Sequence, residues 1–458
     1  MNIRLCDIAG AVDGALEGGD PEREVSMVSV DSRTIRPGEA FFALKGPNFD
    51  GHRFINAAFA RGAACAVVGA ASRASLPDGL CLIVTADTLS ALGRLASYVR
   101  GLYNIPVIAI SGSSGKTTTK EMTASILGRS RRVLKTEGNR NNLVGLPLTL
   151  FGLDRTHEAA VLELGISEPW EMERLVKISS PDVALITNIG RGHLKTLGSL
   201  EGVAKAKAAL FDLLNPGGVK VVNLDDPWAV RISGLAGGKD DSVITYSIDK
   251  AADVTVRKEG MTVRLNTIGP CNISNGAAAI AASLALGASV KDMEEGLSGF
   301  SPLGGRMEVV RINGVTILDD TYNANPDSVA AALKTLKAAG GRKVAVLGDM
   351  LELGEASAPS HREIGALAAA LSVDILVAIG LWSKETTEGA LSSLRYSGRQ
   401  ASGLAESSVR GFGEKKEAAL YLNGILRKGD TVLIKGSRAI GLETIVEGLK
   451  NGPRFVLA

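Results

Sequence analysis

A lysine at the end of a glycine-bracketed turn carries the most evident chemistry in this chain. Residues 107–119 read Val-Ile-Ala-Ile-Ser-Gly-Ser-Ser-Gly-Lys-Thr-Thr-Thr. Four apolar residues predict a buried strand, and Lys116, Thr117 and Thr118 open a predicted helix that lasts to about Gly128. Gly112 and Gly115, bracketing Ser113 and Ser114, let backbone N–H groups approach phosphate oxygens, and the helix N-terminus adds partial positive charge. Lys116 reaches toward β- and γ-phosphates, and the Thr117 hydroxyl suits Mg²⁺. This is a cradle for a nucleoside triphosphate. Ile110 stands where the usual phosphate-loop pattern has its first glycine, so what remains is G-x-x-G-K-T-T. The competing reading is a plain glycine-rich turn.

Other candidates flank this loop in sequence. Glu163 ends the apolar run 159–164, where a carboxylate is costly unless it meets a cation. It either meets Mg²⁺ beside the phosphate loop or faces solvent. His193 follows the apolar run 183–188, and spacing leaves ligand and bystander equally open. Lys205 and Lys207 lie on a predicted amphipathic helix over 201–214, and spacing singles out neither. The segment 136–147 carries Asn139, Asn141 and Asn142, whose amides both donate and accept. They suit a substrate with phosphates and amides, or form an Asn-rich turn.

Further on, Asp319 and Asp320 end a predicted strand, and Thr-Tyr-Asn-Ala-Asn-Pro follows, with Asn323 and Asn325. Asp327 or Ser328 is expected to cap the next helix. Asp320 is placed to hold a ribose hydroxyl. Arg306, after Gly304 and Gly305, suits the charge on a transferring phosphoryl group, or is a linker arginine on the surface.

The elements that must position these residues alternate strand and helix. Apolar runs at 159–164, 183–188, 219–224, 315–319, 343–348, 374–379 and 431–435 are separated by helical patterns. Such runs predict parallel sheets covered on both faces, with ligands at the carboxyl ends of the strands. The fold class is therefore α/β in three domains. A smaller mixed α/β N-terminal block spans 1–84. A central phosphate-loop block with a parallel sheet spans 85–310 and opens with a helix over 88–103. A C-terminal Rossmann-like block spans 311–458. Alternation over 240–265 predicts antiparallel strands.

The 458 residues exceed what a single core organises. The net charge of +2 and an aromatic content of 4% give no argument for nucleic acid. No apolar run reaches the roughly 18 residues of a membrane span, and the N-terminus lacks a signal-peptide apolar core. Cys6, Cys65, Cys81 and Cys271 form no C-x-x-C pair and read as reduced thiols. A cytoplasmic protein without membrane insertion is expected.

Taken together, these motifs resemble the Mur ligase family, ATP-dependent amide-bond-forming enzymes of peptidoglycan precursor synthesis, over essentially the whole chain. The phosphate loop is common to the family. More specific likeness lies in 136–147, 319–326, 347–354 and 435–438, while 31–46 and 50–54 are similar to the segment that binds a UDP-linked substrate. The resemblance implies ATP, two Mg²⁺ ions, a UDP-MurNAc-tripeptide and D-Ala-D-Ala as substrates, with a monomer expected. It implies that Lys116 binds phosphate, that Thr117 and Glu163 hold one Mg²⁺, and that His193 helps hold a second. Lys207 matches a lysine that relatives carry as a carbamate, with Lys205 a near neighbour. Asn272 and Asn275 match positions near adenine, where Cys271 replaces the usual histidine. Arg306 and Asp320 would contact phosphate and ribose. Ser32 and Arg33 would touch the uridine diphosphate end. Sibling ligases and folylpolyglutamate synthases share the phosphate loop, and a nucleotide-hydrolysing switch is a rival of another class.

Overall fold

The phosphate-loop strand Val107–Ser111 lies inside a seven-stranded sheet in the order 133–135, 159–163, 107–111, 183–186, 219–223, 243–247, 254–255, with every neighbouring pair parallel. The computed structural model describes residues 2–235, 242–255, 265, 267–396 and 404–451. Side chains of the central strand alternate between two cores. Val107 and Ala109 join Leu92, Leu146, Leu175 and Leu210 on one face, and Ile108 and Ile110 join Met122, Ala281 and Leu297 on the other. Burial on both faces explains why the strand reads as an unbroken apolar run.

The expectation for 240–265 needs correction. Val243–Ser247 runs parallel to Val219–Asn223, and Val254–Thr255 runs parallel to Val243–Ser247. These strands lie at the sheet edge, with only Tyr246, Ser247 and Val254 buried. Val243 packs against one core and Ile244 and Tyr246 against the other, so alternation along the sequence does not fix strand direction here. Residues 240, 241, 256–264 and 266 lie outside the described residues.

A second sheet has six strands in the order 308–312, 315–320, 431–435, 343–348, 375–379, 409–412. Only the pair Glu308–Ile312 and Val315–Asp320 is antiparallel. That edge strand crosses position 310, so this sheet begins before residue 311. Its strands also alternate between two cores: Val344 and Val346 face one way, Ala345 and Leu347 the other. A third, mixed sheet of five strands uses residues 15–17, 82–85, 65–69, 40–42 and 28–29. Helix Thr88–Gly101 joins it to the phosphate-loop sheet: Leu92, Leu95 and Val99 share a core with Ile3, Ile8 and Val67 as well as Leu175.

Candidate active site between two sheets

Both large sheets present strand carboxyl ends to one cleft of about 660 Å³. Its lining runs from Ser113 to Lys435 in sequence. On one side is the phosphate loop, which ends at helix Lys116–Leu127. Gly112 has φ 143° and Gly115 φ 81°, conformations that disfavour a Cβ. A Cβ on Gly112 would overlap the Thr187 hydroxyl, and one on Gly115 would overlap the Asn275 side chain. The loop is strapped to residues 187–190. Ser113 N–H donates to Asn188 O at 3.0 Å, and Ser114 N–H to Asn188 Oδ1 at 3.0 Å. Ser113 Oγ also donates to Gly190 O at 2.9 Å.

Lys116 Nζ folds back to donate to Gly112 O at 2.8 Å. Burial lowers its pKa, Glu163 opposes that shift, and Arg306 adds to it. The lysine thus feels one group from its own sheet and one from beyond the cleft. Thr117 is buried at the start of the helix, and Thr118 lines the cleft.

Glu163 ends strand Ala159–Glu163 and is 2% exposed. Its Oε1 accepts Asn141 Nδ2–H at 2.8 Å, while Oε2 is buried with no hydrogen-bond partner. An orphaned buried carboxylate oxygen is expensive. Among the described residues, no group of three or more His, Cys, Asp or Glu forms a metal cluster. A cation at Glu163 would therefore draw on one carboxylate, the Thr117 hydroxyl and phosphate oxygens. That donor set suits Mg²⁺, which commonly uses one or two carboxylates plus substrate phosphates.

Burial separates the two lysines that spacing left equal. On helix Leu200–Asp212, Lys205 is exposed and Lys207 is 3% exposed. Lys207 has no hydrogen bond or ion pair among the described residues. Burial, then the nearby Lys116 charge, pushes its pKa well below the ordinary lysine value. His193 lines the cleft at φ 55°, and its Nδ1 lies 2.6 Å from Glu352 Oε2. That contact links the two large sheets. Arg191, two residues earlier, adds ion pairs to Asp327 at 2.9 Å and Glu363 at 2.6 Å.

From the second sheet come Arg306, Asp320, Asn323 and Asn325, which all line the cleft. The Arg306 guanidinium lies 3.7 Å from the Tyr322 ring centroid and has no ion pair among the described residues. Asp320 Oδ2 pairs with Lys435 Nζ at 2.6 Å, and Oδ1 accepts Met307 N–H at 3.1 Å. The expected helix cap is corrected: the N-cap of helix Pro326–Ala338 is Asn325. Asn325 Oδ1 accepts Ser328 N–H at 2.8 Å, and Ser328 Oγ accepts Asn325 N–H at 3.0 Å. Asp327 is free to hold Arg191 because the amide caps the helix.

Asn272 and Asn275 are buried on helix Pro270–Leu284, joined at 3.2 Å, with Cys271 lining the cleft beside them. Asn141 and Asn142 reach the cleft, although Asn142 Oδ1 already accepts Gly145 N–H at 2.9 Å. Asn139 is exposed and outside the lining. Ser32 and Arg33 also lie outside it; Ser32 is buried, and the exposed Arg33 pairs with Asp31 at 2.7 Å. That guanidinium lowers the Asp31 carboxyl to about 2. Sequence reading missed Asn188, Tyr322 and Lys435 as individual residues. Their signal was position: each falls within a few residues of a strand's carboxyl end.

A phosphate loop on a parallel sheet, facing a second α/β lobe across one cleft, defines a phosphate-loop nucleotide-binding protein. Family models cover most of the chain: the Mur ligase family catalytic domain over residues 24–98, the Mur ligase middle domain over 110–283, and the Mur ligase glutamate ligase domain over 305–438. The UDP-N-acetylmuramoyl-tripeptide–D-alanyl-D-alanine ligase of Bacillus subtilis strain 168 is 36% identical over 98% of both chains. A crystal structure of MurF from Acinetobacter baumannii matches with a TM-score of 0.88 and 33% identity over 99% of both chains. MurF ligase from Thermotoga maritima in complex with ADP matches at 0.80 and 28%, covering 93% of this chain and 97% of its own. The chain belongs to the Mur ligase family.

Proposed function

We propose that this chain joins the amine of D-Ala-D-Ala to the terminal carboxylate of a UDP-MurNAc-tripeptide, with ATP converted to ADP and phosphate. One observation carries the chemistry: Lys116, the unpartnered oxygen of Glu163 and the unpaired Arg306 face one cleft between two sheets. The substrates come from the full-length likeness to the Bacillus subtilis ligase.

The physical problem is that a carboxylate must meet a γ-phosphate. Lys116 and Arg306 approach from opposite sides and stabilise charge on the phosphoryl group in flight. Transfer to the carboxylate gives an acyl phosphate; the amine then attacks the acyl carbon and phosphate leaves. Gly112 to Thr118 hold the nucleotide phosphates, Asn272 and Asn275 lie on the adenine side, and Asp320 on the ribose side. Thr117 and Glu163 would hold one Mg²⁺, and His193 with Lys207 a second. Bound Mg²⁺ neutralises phosphate charge.

Lys207 fits a carbamate: burial and the nearby Lys116 charge favour its neutral form over the ammonium, and a neutral amine that takes up CO₂ releases one proton. Asn141, Asn142, Asn323 and Asn325 line the substrate side. Ser32 and Arg33, outside the cleft lining, would serve the UDP end of an extended substrate whose peptide end reaches the cleft. The four cysteines are free, which supports a reducing compartment such as the cytoplasm, and we infer a monomer. No described helix is long and apolar enough to cross a membrane.

The test is ADP release with each substrate omitted in turn, with the tripeptide ending in lysine or in diaminopimelate. The proposal requires that release depend on both substrates and that one product carry the added dipeptide. Release without either substrate would indicate a nucleotide-hydrolysing switch. Release with a single amino acid in place of the dipeptide would indicate a sibling ligase.

A further inference from the structure

Lys120 is the most completely buried charged residue near the cleft, at 0% exposure, and nothing in the proposed reaction uses it. It lies four residues beyond Lys116, one turn along the same helix. Its Nζ donates to Thr136 O at 2.5 Å and pairs with Glu121 Oε1 at 2.7 Å. Glu121 in turn pairs with Lys135 at 2.5 Å. Burying a lysine costs several kcal/mol unless its partners are well placed, and an apolar side chain would fill the space more cheaply.

Those partners lead to Glu163. Thr136 is fully buried at the end of strand Val133–Lys135. Its N–H donates to Val161 O at 3.1 Å, and its Oγ1 accepts Glu163 N–H at 2.9 Å. Thr136 therefore clamps the strand that carries Glu163 on both sides of Leu162. On the next two residues, Leu164 N–H donates to Ile110 O at 2.8 Å and Gly165 N–H to Asn141 O at 2.8 Å. The peptide of Glu163 is held from one direction by a threonine whose own carbonyl is held by Lys120.

We propose that Lys120 is a positioning residue: through Thr136 it fixes Glu163 in register with the phosphate-loop helix, so that the free carboxylate oxygen meets a divalent cation bound with nucleotide. This rests on the reading of Glu163 as a metal ligand. One helix then sets both halves of the site, Lys116 by direct contact with phosphate and Glu163 by relay. Groups that orient metal-binding carboxylates typically cost 10- to 100-fold in metal affinity when removed.

The experiment measures ADP binding by calorimetry with and without Mg²⁺, together with Mn²⁺ binding by electron paramagnetic resonance in the presence of ADP. Lys120→Met keeps the length of the side chain and removes the donor. Thr136→Val removes the hydroxyl and keeps the shape, and Thr136→Ser restores the hydroxyl. We expect Lys120→Met and Thr136→Val to weaken Mn²⁺ binding by about 10-fold, with metal-free ADP affinity within twofold of the parent and Thr136→Ser near the parent.

A merely structural role would move both affinities together, or neither, and would overturn the inference. If Lys120→Met does not fold, the Val and Ser pair at Thr136 decides by the same split. Glu163→Gln separates the two readings. If it binds Mn²⁺ as the parent does, the metal role of Glu163 fails. If it loses Mn²⁺ while Lys120→Met and Thr136→Val keep it, only the relay fails.

Discussion

Gly115 is pressed against Asn275: a Cβ added to the loop residue would overlap the Asn275 Oδ1, and the backbone there has φ 81°. The phosphate loop and the helix carrying Asn272 and Asn275 are therefore fitted to one another at a backbone position. Gly115→Ala should cost about 1–3 kcal/mol of stability, as a residue forced into a left-handed conformation does. It should also weaken ADP binding. Urea unfolding and calorimetry check both, and an unchanged ADP affinity would show that the contact is unimportant to the nucleotide.

Lys116 rests on the carbonyl of Gly112 at 2.8 Å, a contact that a phosphate oxygen would replace. Lys116→Ala should abolish ADP formation while leaving the fold intact by circular dichroism. Normal turnover would remove the phosphate loop from the account.

The buried, unpaired Lys207 leads to a different expectation. Lys207→Ala should be nearly inactive, and formate or acetate should restore part of the activity by supplying the missing carboxylate. Lys205→Ala, on the exposed face, should be near the parent. Full activity of Lys207→Ala without rescue would exclude a carbamate at this position.

His361 provides a pH test away from the cleft. Its Nε2 accepts Met350 N–H at 3.0 Å, so the proton sits on Nδ1, which donates to Ser357 O at 2.7 Å. Burial lowers its pKa from 6.5. The folded state therefore prefers the neutral ring. Its contribution is fully present above about pH 6.5 and is lost as pH falls through the depressed folded value. Each tenfold difference in proton affinity between the unfolded and folded chain is worth about 1.4 kcal/mol. Urea midpoints at pH 7.5 and 5.5 should differ more in the parent than in His361→Phe. Equal differences would mean that another group sets the slope.

The strands were legible because burial on both faces leaves an unbroken apolar run, as at 107–110, 183–186 and 344–347. The loop was legible because two glycines in positive-φ conformations and a lysine have few other uses together. What depends on the third dimension was not. Lys205 and Lys207 look alike in sequence, and only the helix face tells them apart. The capping of helix Pro326–Ala338 falls to Asn325, which leaves Asp327 to reach Arg191, 136 residues away. Asn188 straps a loop 74 residues earlier, and no local pattern announces it. The strands near 243–255 carry an alternating sequence pattern that is compatible with either strand direction, and the structure makes them parallel.

The central claim is that the tripeptide carboxylate becomes reactive by taking the γ-phosphoryl group beside Lys116. The most direct measurement labels that carboxylate with oxygen-18 and analyses the phosphate released during ligation by mass spectrometry. The account predicts one labelled oxygen in each phosphate, carried over when the acyl carbon is attacked by the amine. Phosphate whose new oxygen comes only from solvent water would contradict it.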